Sequence, residues 1–228
     1  AGAVASACAP PTAPPPTAQV VEKTVEVPVQ VTVEVRPGIP EPPMLANRVA
    51  RGELPPLEER LPVNPFVVGG REAIGVYGGE VRQIHHDTVW SVSTYDWLTD
   101  RMLQYSDVDL RTLVPNMIES WEGTEDGTTY TIHMREGMKW SDGHPLTTED
   151  VDFWWNDWAT VEGLGWVGQA FAGTKGRQAN IEIVDDYTFR VKYDYPFGIF
   201  PHVLTRHPGG YPADGPFMPK HFLKDYHI

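Results

Sequence analysis

His85 and His86 stand beside Asp87, with Trp90 three residues further on. Imidazole plus carboxylate is a donor set that transition metals accept. On an extended segment, however, neighbouring side chains point to opposite faces, so the three do not converge on one ion and no metal centre is expected. His202 and His207, like His221 and His227, lack the i, i+4 spacing that sets two zinc ligands on one helix face. Asp185-Asp186 reads as a turn whose carboxylates bond to backbone amides. Gly173-Thr174-Lys175-Gly176 lacks the spacing of a phosphate-cradling loop, and no Gly-x-Ser-x-Gly nucleophile elbow occurs. With a single cysteine, Cys8, neither an intramolecular disulfide nor a thiolate zinc cluster can form. No feature calls for enzyme chemistry or a cofactor.

Charge narrows the partner class. Asp and Glu number 31 against 18 Lys and Arg, a net charge of −13 over 228 residues. No basic cluster offsets it, so nucleic acid is not expected, because phosphate binding rests on clustered cations. No apolar run reaches the roughly 18 residues a membrane helix needs. Eight Trp and nine Tyr supply large flat surfaces that either pack a core or line a groove.

The chain divides into four stretches. Residues 1–8 are small or apolar and end in Ala5-Ser6-Ala7-Cys8, similar to the close of a lipoprotein signal; Cys8 would then carry the lipid, the only membrane contact expected. Residues 9–43 are rich in Pro, Thr and Ala, then alternate Val with polar residues from Val25 to Val35 with Pro28 interrupting, which predicts a tether rather than a paired strand. Residues 44–75 form a prelude: a short helix over Met44 to Gly52, then a proline-rich extended stretch from Leu54 to Pro65. The domain, 76–228, opens at Tyr77-Gly78-Gly79. A short strand follows over Glu80 to Ile84, then a helix from Ser93 or Thr94 to about Tyr105 with Tyr95, Leu98, Met102 and Tyr105 as its stripe. Gly163 to Gly176 is predicted to be a mobile surface loop.

The most structured signal runs from Val114 to Ala159. Tyr130, Ile132 and Met134 alternate with Thr129, Thr131 and His133, the period of a strand with one buried face. Asp126-Gly127 supplies a tight turn, so Met117 to Trp121 is the expected hairpin partner. Asp142-Gly143 is a second turn. Thr147 is placed to cap a helix whose first turn holds Glu149 and Asp150. Val151, Trp154, Trp155 and Trp158 then share its apolar face. A second hairpin is expected around Asp185-Asp186, with Phe189, Val191 and Tyr193 inward. Short helices are expected within Pro196 to Leu204 and from Met218-Pro219-Lys220-His221-Phe222. The fold class is α/β, more closely an α+β mixed sheet with hairpins and flanking helices.

Val114-Pro115-Asn116, Glu119-Ser120-Trp121-Glu122, Asp126-Gly127-Thr128-Thr129-Tyr130-Thr131-Ile132, Arg135-Glu136-Gly137-Met138-Lys139-Trp140, Ser141 to Thr147 and Glu149-Asp150-Val151 together resemble the first lobe of family 5 extracellular solute-binding proteins. That resemblance implies a bilobal periplasmic-binding-protein fold that closes on its ligand, of which this chain covers an incomplete first lobe, as a fragment. It implies an extracytoplasmic role in the cell envelope, as a monomer delivering peptides, or alternatively short oligosaccharides, to the permeases of an ABC importer. It also makes His85, His86, Asp87, Trp90 and Trp166, on loops bordering the cleft, the candidate ligand contacts. A secreted metal-dependent enzyme and a surface interaction module are the alternatives of another class.

Overall fold

The strand Thr129–Met134 organises the molecule, and its alternation appears as a perfect in-out burial pattern. The computed structural model describes residues 41–67, 77–80, 100–106, 109–165, 167, 169–174, 177–205 and 215–226. Within them, α1 spans Pro43–Ala50 and α2 Leu57–Arg60; β1 (Leu103–Tyr105) pairs with β2 (Leu113–Pro115). Strands β3 (Ile118–Gly123), β4 (Thr129–Met134), β5 (Asn180–Asp185) and β6 (Thr188–Lys192) form one antiparallel sheet in the order β3-β4-β6-β5. Helix α3 (Thr148–Phe153) runs on into a π-helical turn, Trp154–Ala159; α4 (Gln169–Ala172), α5 (Phe200–Val203) and α6 (Lys220–Leu223) are single turns.

Both hairpins form as their turn chemistry dictates. Gly127 sits at φ +64°, where an L side chain is strained, and Asp126 accepts bonds from the Thr128 amide and the Thr124 hydroxyl. Gly127→Ala is therefore expected to cost about 1 kcal/mol, readable as a lower urea midpoint with an unchanged slope.

One face of the sheet carries Ile118, Tyr130, Ile132, Met134, Phe189 and Val191, all buried. Against it lie Val151, Trp154, Phe171 and Phe200, so the core is a two-layer contact of sheet on helix. Aromatic edges interlock there: Trp154 meets Phe171 at 5.0 Å between ring centroids, and Tyr130 meets Phe200 at 4.8 Å. The two buried tyrosines keep their hydroxyls bonded, Tyr130 to the Phe197 carbonyl and Tyr193 to the Ala170 carbonyl, and burial pushes the Tyr193 phenol well above its ordinary range.

Four expectations need correction. Leu103–Tyr105 is a strand, not the end of a helix. Asn116 and Met117 donate backbone bonds to the Met102 and Arg101 carbonyls, and β2 completes the ladder, so pairing overrides the 3.6-residue stripe. The start of that helix, 93–99, lies outside the described residues, as do residues 81–84 of the strand predicted over Glu80 to Ile84. The stretch Gly163 to Gly176 is not simply a surface loop: Phe171 is 1% exposed, and its carbonyl accepts the Ala179 amide. Phe171, flanked by Ala170 and Ala172, gives no period to read, yet it anchors the segment in the core. The proline-rich prelude contains one helical turn, α2, which Pro56 opens with φ already near helical values. Finally, α1 begins at Pro43, one residue before the Met44 start expected for that helix.

The prelude is strapped to the lobe. The Val63 amide donates to the Glu136 carbonyl (2.9 Å), and Lys139 Nζ donates to the Glu59 carbonyl (2.6 Å). Gly137, at φ +82°, lets Val63 and Pro62 approach its backbone closely.

Candidate functional site

Residues Lys139 to Pro145 fold back on themselves. Trp140 and His144 exchange a backbone bond across the Asp142-Gly143 turn, with Gly143 at φ +91°, while Lys139 and Pro145 form a bridge. Asp142 closes the turn by accepting the His144 amide at 2.9 Å. This places the His144 ring outward, where it stacks on His221 of α6 with centroids 3.8 Å apart and planes within 5°. His221 Nε2 lies 2.7 Å from Asp142 Oδ2; a carboxylate only accepts, so this nitrogen carries the hydrogen. His144 Nδ1 is held likewise by the Pro145 carbonyl at 3.0 Å.

Under this pair sits Asp150, 3% exposed. It completes a capping box: Oδ2 accepts the Thr147 amide (3.1 Å) while the Thr147 hydroxyl caps the helix. The same carboxylate accepts Trp140 Nε1 (3.0 Å) and the Lys220 amide (3.0 Å), so one buried side chain ties the turn, α3 and α6 together. Lys220 Nζ stands 3.6 Å from Glu149. His144, Thr147, Glu149, Lys220, His221 and Lys224 line a small cavity of about 150 Å³ at this junction.

The Thr147 hydroxyl is engaged in the cap, and the Asp142 and Asp150 carboxylates accept amide, indole and imidazole donors. Among the described residues no group of three or more His, Cys, Asp or Glu is arranged for a metal ion, and no helix is long and apolar enough to cross a membrane.

Several carboxylates are held in their charged form. The Thr112 hydroxyl, with the Arg111 and Thr112 amides, lowers Asp109 to about 2. The Thr124 hydroxyl lowers Asp126, the His144 amide and then His221 lower Asp142, and the Tyr187 amide lowers Asp185. A depressed folded-state pKa adds stability above the unfolded value, and that stability is lost as pH falls. Urea midpoints are thus expected to hold down to about pH 4 and then decline towards pH 2 as these turns protonate.

The residues singled out from the sequence as ligand contacts, His85, His86, Asp87, Trp90 and Trp166, lie outside the described residues, as does Cys8. Those read as structural behave so: the Asp185-Asp186 turn receives the Thr148 hydroxyl and amide on its carbonyls, and His202 Nδ1 pairs with the Tyr105 hydroxyl at 3.0 Å. The Asp142–His144–His221 cluster and the buried role of Asp150 escape sequence reasoning. Their partners are far apart in the chain, and no periodicity links a turn to a distant helix start.

Comparison with known proteins completes the picture. Residues 112–225 match the model of the bacterial extracellular solute-binding proteins, family 5 Middle. The chain is 32% identical over 160 residues to the periplasmic alpha-galactoside-binding protein of Rhizobium meliloti, covering 61% of this chain and 23% of that one. Its fold superposes on an oligopeptide-binding protein OppA with a TM-score of 0.62 at 31% identity, covering 81% of this chain and 28% of that chain. It also matches the periplasmic binding protein MelB of Agrobacterium fabrum C58, solved with stachyose, with a TM-score of 0.59 at 29% identity, covering 84% and 31%. The chain thus spans between a quarter and a third of the lengths of these two solved relatives, and somewhat less than a quarter of the first. A capped helix on two hairpins, matched in sequence across the whole sheet, makes this chain a member of the family 5 bacterial extracellular solute-binding proteins.

Proposed function

We propose that this lobe belongs to the extracytoplasmic substrate-binding component of an ABC importer, which captures short peptides and hands them to membrane permeases. The observation carrying this reading is the family match over the entire sheet and helix α3, joined to 31% identity with an oligopeptide-binding protein across 81% of the chain. The protein acts by binding, as a monomer, and without chemistry on its solute. Short oligosaccharides form the second reading, favoured by the 160-residue similarity to an alpha-galactoside-binding protein. Calorimetric titration of the whole protein with di- and tripeptides, and separately with raffinose and stachyose, separates the two. Heat with one series assigns the ligand class, and no heat with either overturns solute capture. The loop residues His85, His86, Asp87, Trp90 and Trp166 are the proposed contacts. Trp90→Ala is expected to weaken binding at least tenfold, since stacking of an aromatic on the ligand is lost.

Lipidation at Cys8 is proposed for retention at the cell envelope. It predicts that the protein made in its own host partitions into detergent, and that Cys8→Ser abolishes this partitioning.

A further inference from the structure

The segment from Arg135 to Lys139 grips the prelude at three points. Arg135 donates to the Asn64 carbonyl at 2.5 Å, the Glu136 carbonyl accepts the Val63 amide at 2.9 Å, and Lys139 Nζ donates to the Glu59 carbonyl at 2.6 Å. Asn64 Nδ2 adds a bond to the Glu119 carboxylate at 2.9 Å. These fastenings are all polar. None of residues 41–67 is buried, and Leu61 and Val63 turn their apolar side chains to water at 40% and 73% exposure. The core around Ile132, Trp154 and Val191 draws no side chain from this stretch. The prelude also has bonds of its own. Arg60 pairs with Glu41, and its Nε donates to the Pro55 carbonyl at 3.0 Å, which closes residues 41–60 on themselves. On the lobe side, Arg135 Nε stays on the Asn116 carbonyl at 2.8 Å. The clasp can therefore open without taking either side apart.

We propose that the prelude from Glu41 to Asn64 is a releasable strap, which undocks from the Arg135–Lys139 segment as one unit while the sheet stays folded. The physical case rests on what opening exposes. Parts of a protein with few buried apolar contacts open at a fraction of the global unfolding free energy. Here release exchanges four polar fastenings for bonds to water and uncovers no core side chain. The seat itself persists, because its buried guanidinium is still held by the Asn116 carbonyl. Release also frees length: the 24 residues from 41 to 64 can span up to about 80 Å when extended. That gain in reach rests on the anchoring at Cys8 proposed above; the undocking itself does not.

The test uses the whole protein and two variants, Lys139→Gln on the lobe side and Asn64→Ala on the strap side. Two readouts sit at opposite ends of the clasp: tryptic cleavage at Arg60, next to Glu59, and hydrogen exchange of the Val63 amide, next to Asn64. The amides of Ile132 and Val191 report the sheet. In the parent protein Val63 is expected to exchange at least tenfold faster than those two, with a shallower dependence on urea. Each variant is expected to speed both readouts by one common factor, about fivefold, with the sheet amides unchanged. A variant that speeds only its nearer readout reveals local fraying and overturns the single strap. Val63 exchanging no faster than the sheet overturns release itself. Detergent partitioning of the same protein reports the anchor separately. If the strap opens in a protein that does not partition, the undocking stands and the gain in reach falls.

Discussion

Asp150→Ala is expected to lower the stability of this lobe by about 3–5 kcal/mol, the largest effect of any polar substitution here. Its carboxylate receives the Thr147 amide, the Trp140 indole and the Lys220 amide while almost fully buried. Removing it strands three donors and dissolves the capping box; each orphaned buried donor costs about 1–3 kcal/mol, with incomplete additivity because they share one acceptor. Asp150→Asn keeps the shape and one oxygen, so a loss of about half that size is expected. Urea denaturation of the three proteins at neutral pH measures this. A drop under 1 kcal/mol for Asp150→Ala would show that water replaces the carboxylate and that the junction is not held from beneath.

Trp154→Ala is expected to cost about 3–5 kcal/mol for a different reason. Its ring is wholly buried, with Trp155 at 5.5 Å and Phe171 at 5.0 Å, and it spans the layer between helix and sheet. Truncation leaves a cavity that neighbours locked in an aromatic cluster fill poorly. Trp158 lies on the same apolar stripe but at the periphery of the core, so Trp158→Ala is expected to cost markedly less, about 1–2 kcal/mol. Equal costs at the two positions would mean that the stripe, and not the depth of burial, sets the energy. Thermal unfolding of the two variants side by side distinguishes these cases.

The legible parts of the fold share one property: their determinants are local. The β4 alternation, Gly127 in its turn, the Thr147 cap and the Phe189–Val191–Tyr193 face each depend on residues a few positions apart. The misread parts depend on distant partners. Met102 and Tyr105 carry a helical stripe, yet the carbonyls of 101 and 102 are claimed by amides at 116–118, and strand pairing wins. Phe171 offers no pattern among glycines and alanines, but the core has an aromatic-sized space at that point.

The candidate site divides along the same line. The five ligand contacts named from the sequence rest on family resemblance and fall outside the described residues. The polar junction of Asp142, His144, Asp150 and His221 was invisible beforehand, because a turn, a cap and a helix start each had a sufficient local explanation.

By itself the sequence determined the family, the two hairpins and the capped helix, since short spacings encode turns, caps and amphipathic faces directly. Val114 to Ala159 carried most of that. Only the tertiary structure decided that Asp150 is a buried three-way acceptor, that the proline-rich prelude is strapped to the lobe, and that Arg135 joins the Asn64 and Asn116 carbonyls. Those roles depend on which distant backbone groups arrive within about 3 Å of one another, a property of the folded path rather than of any window of residues.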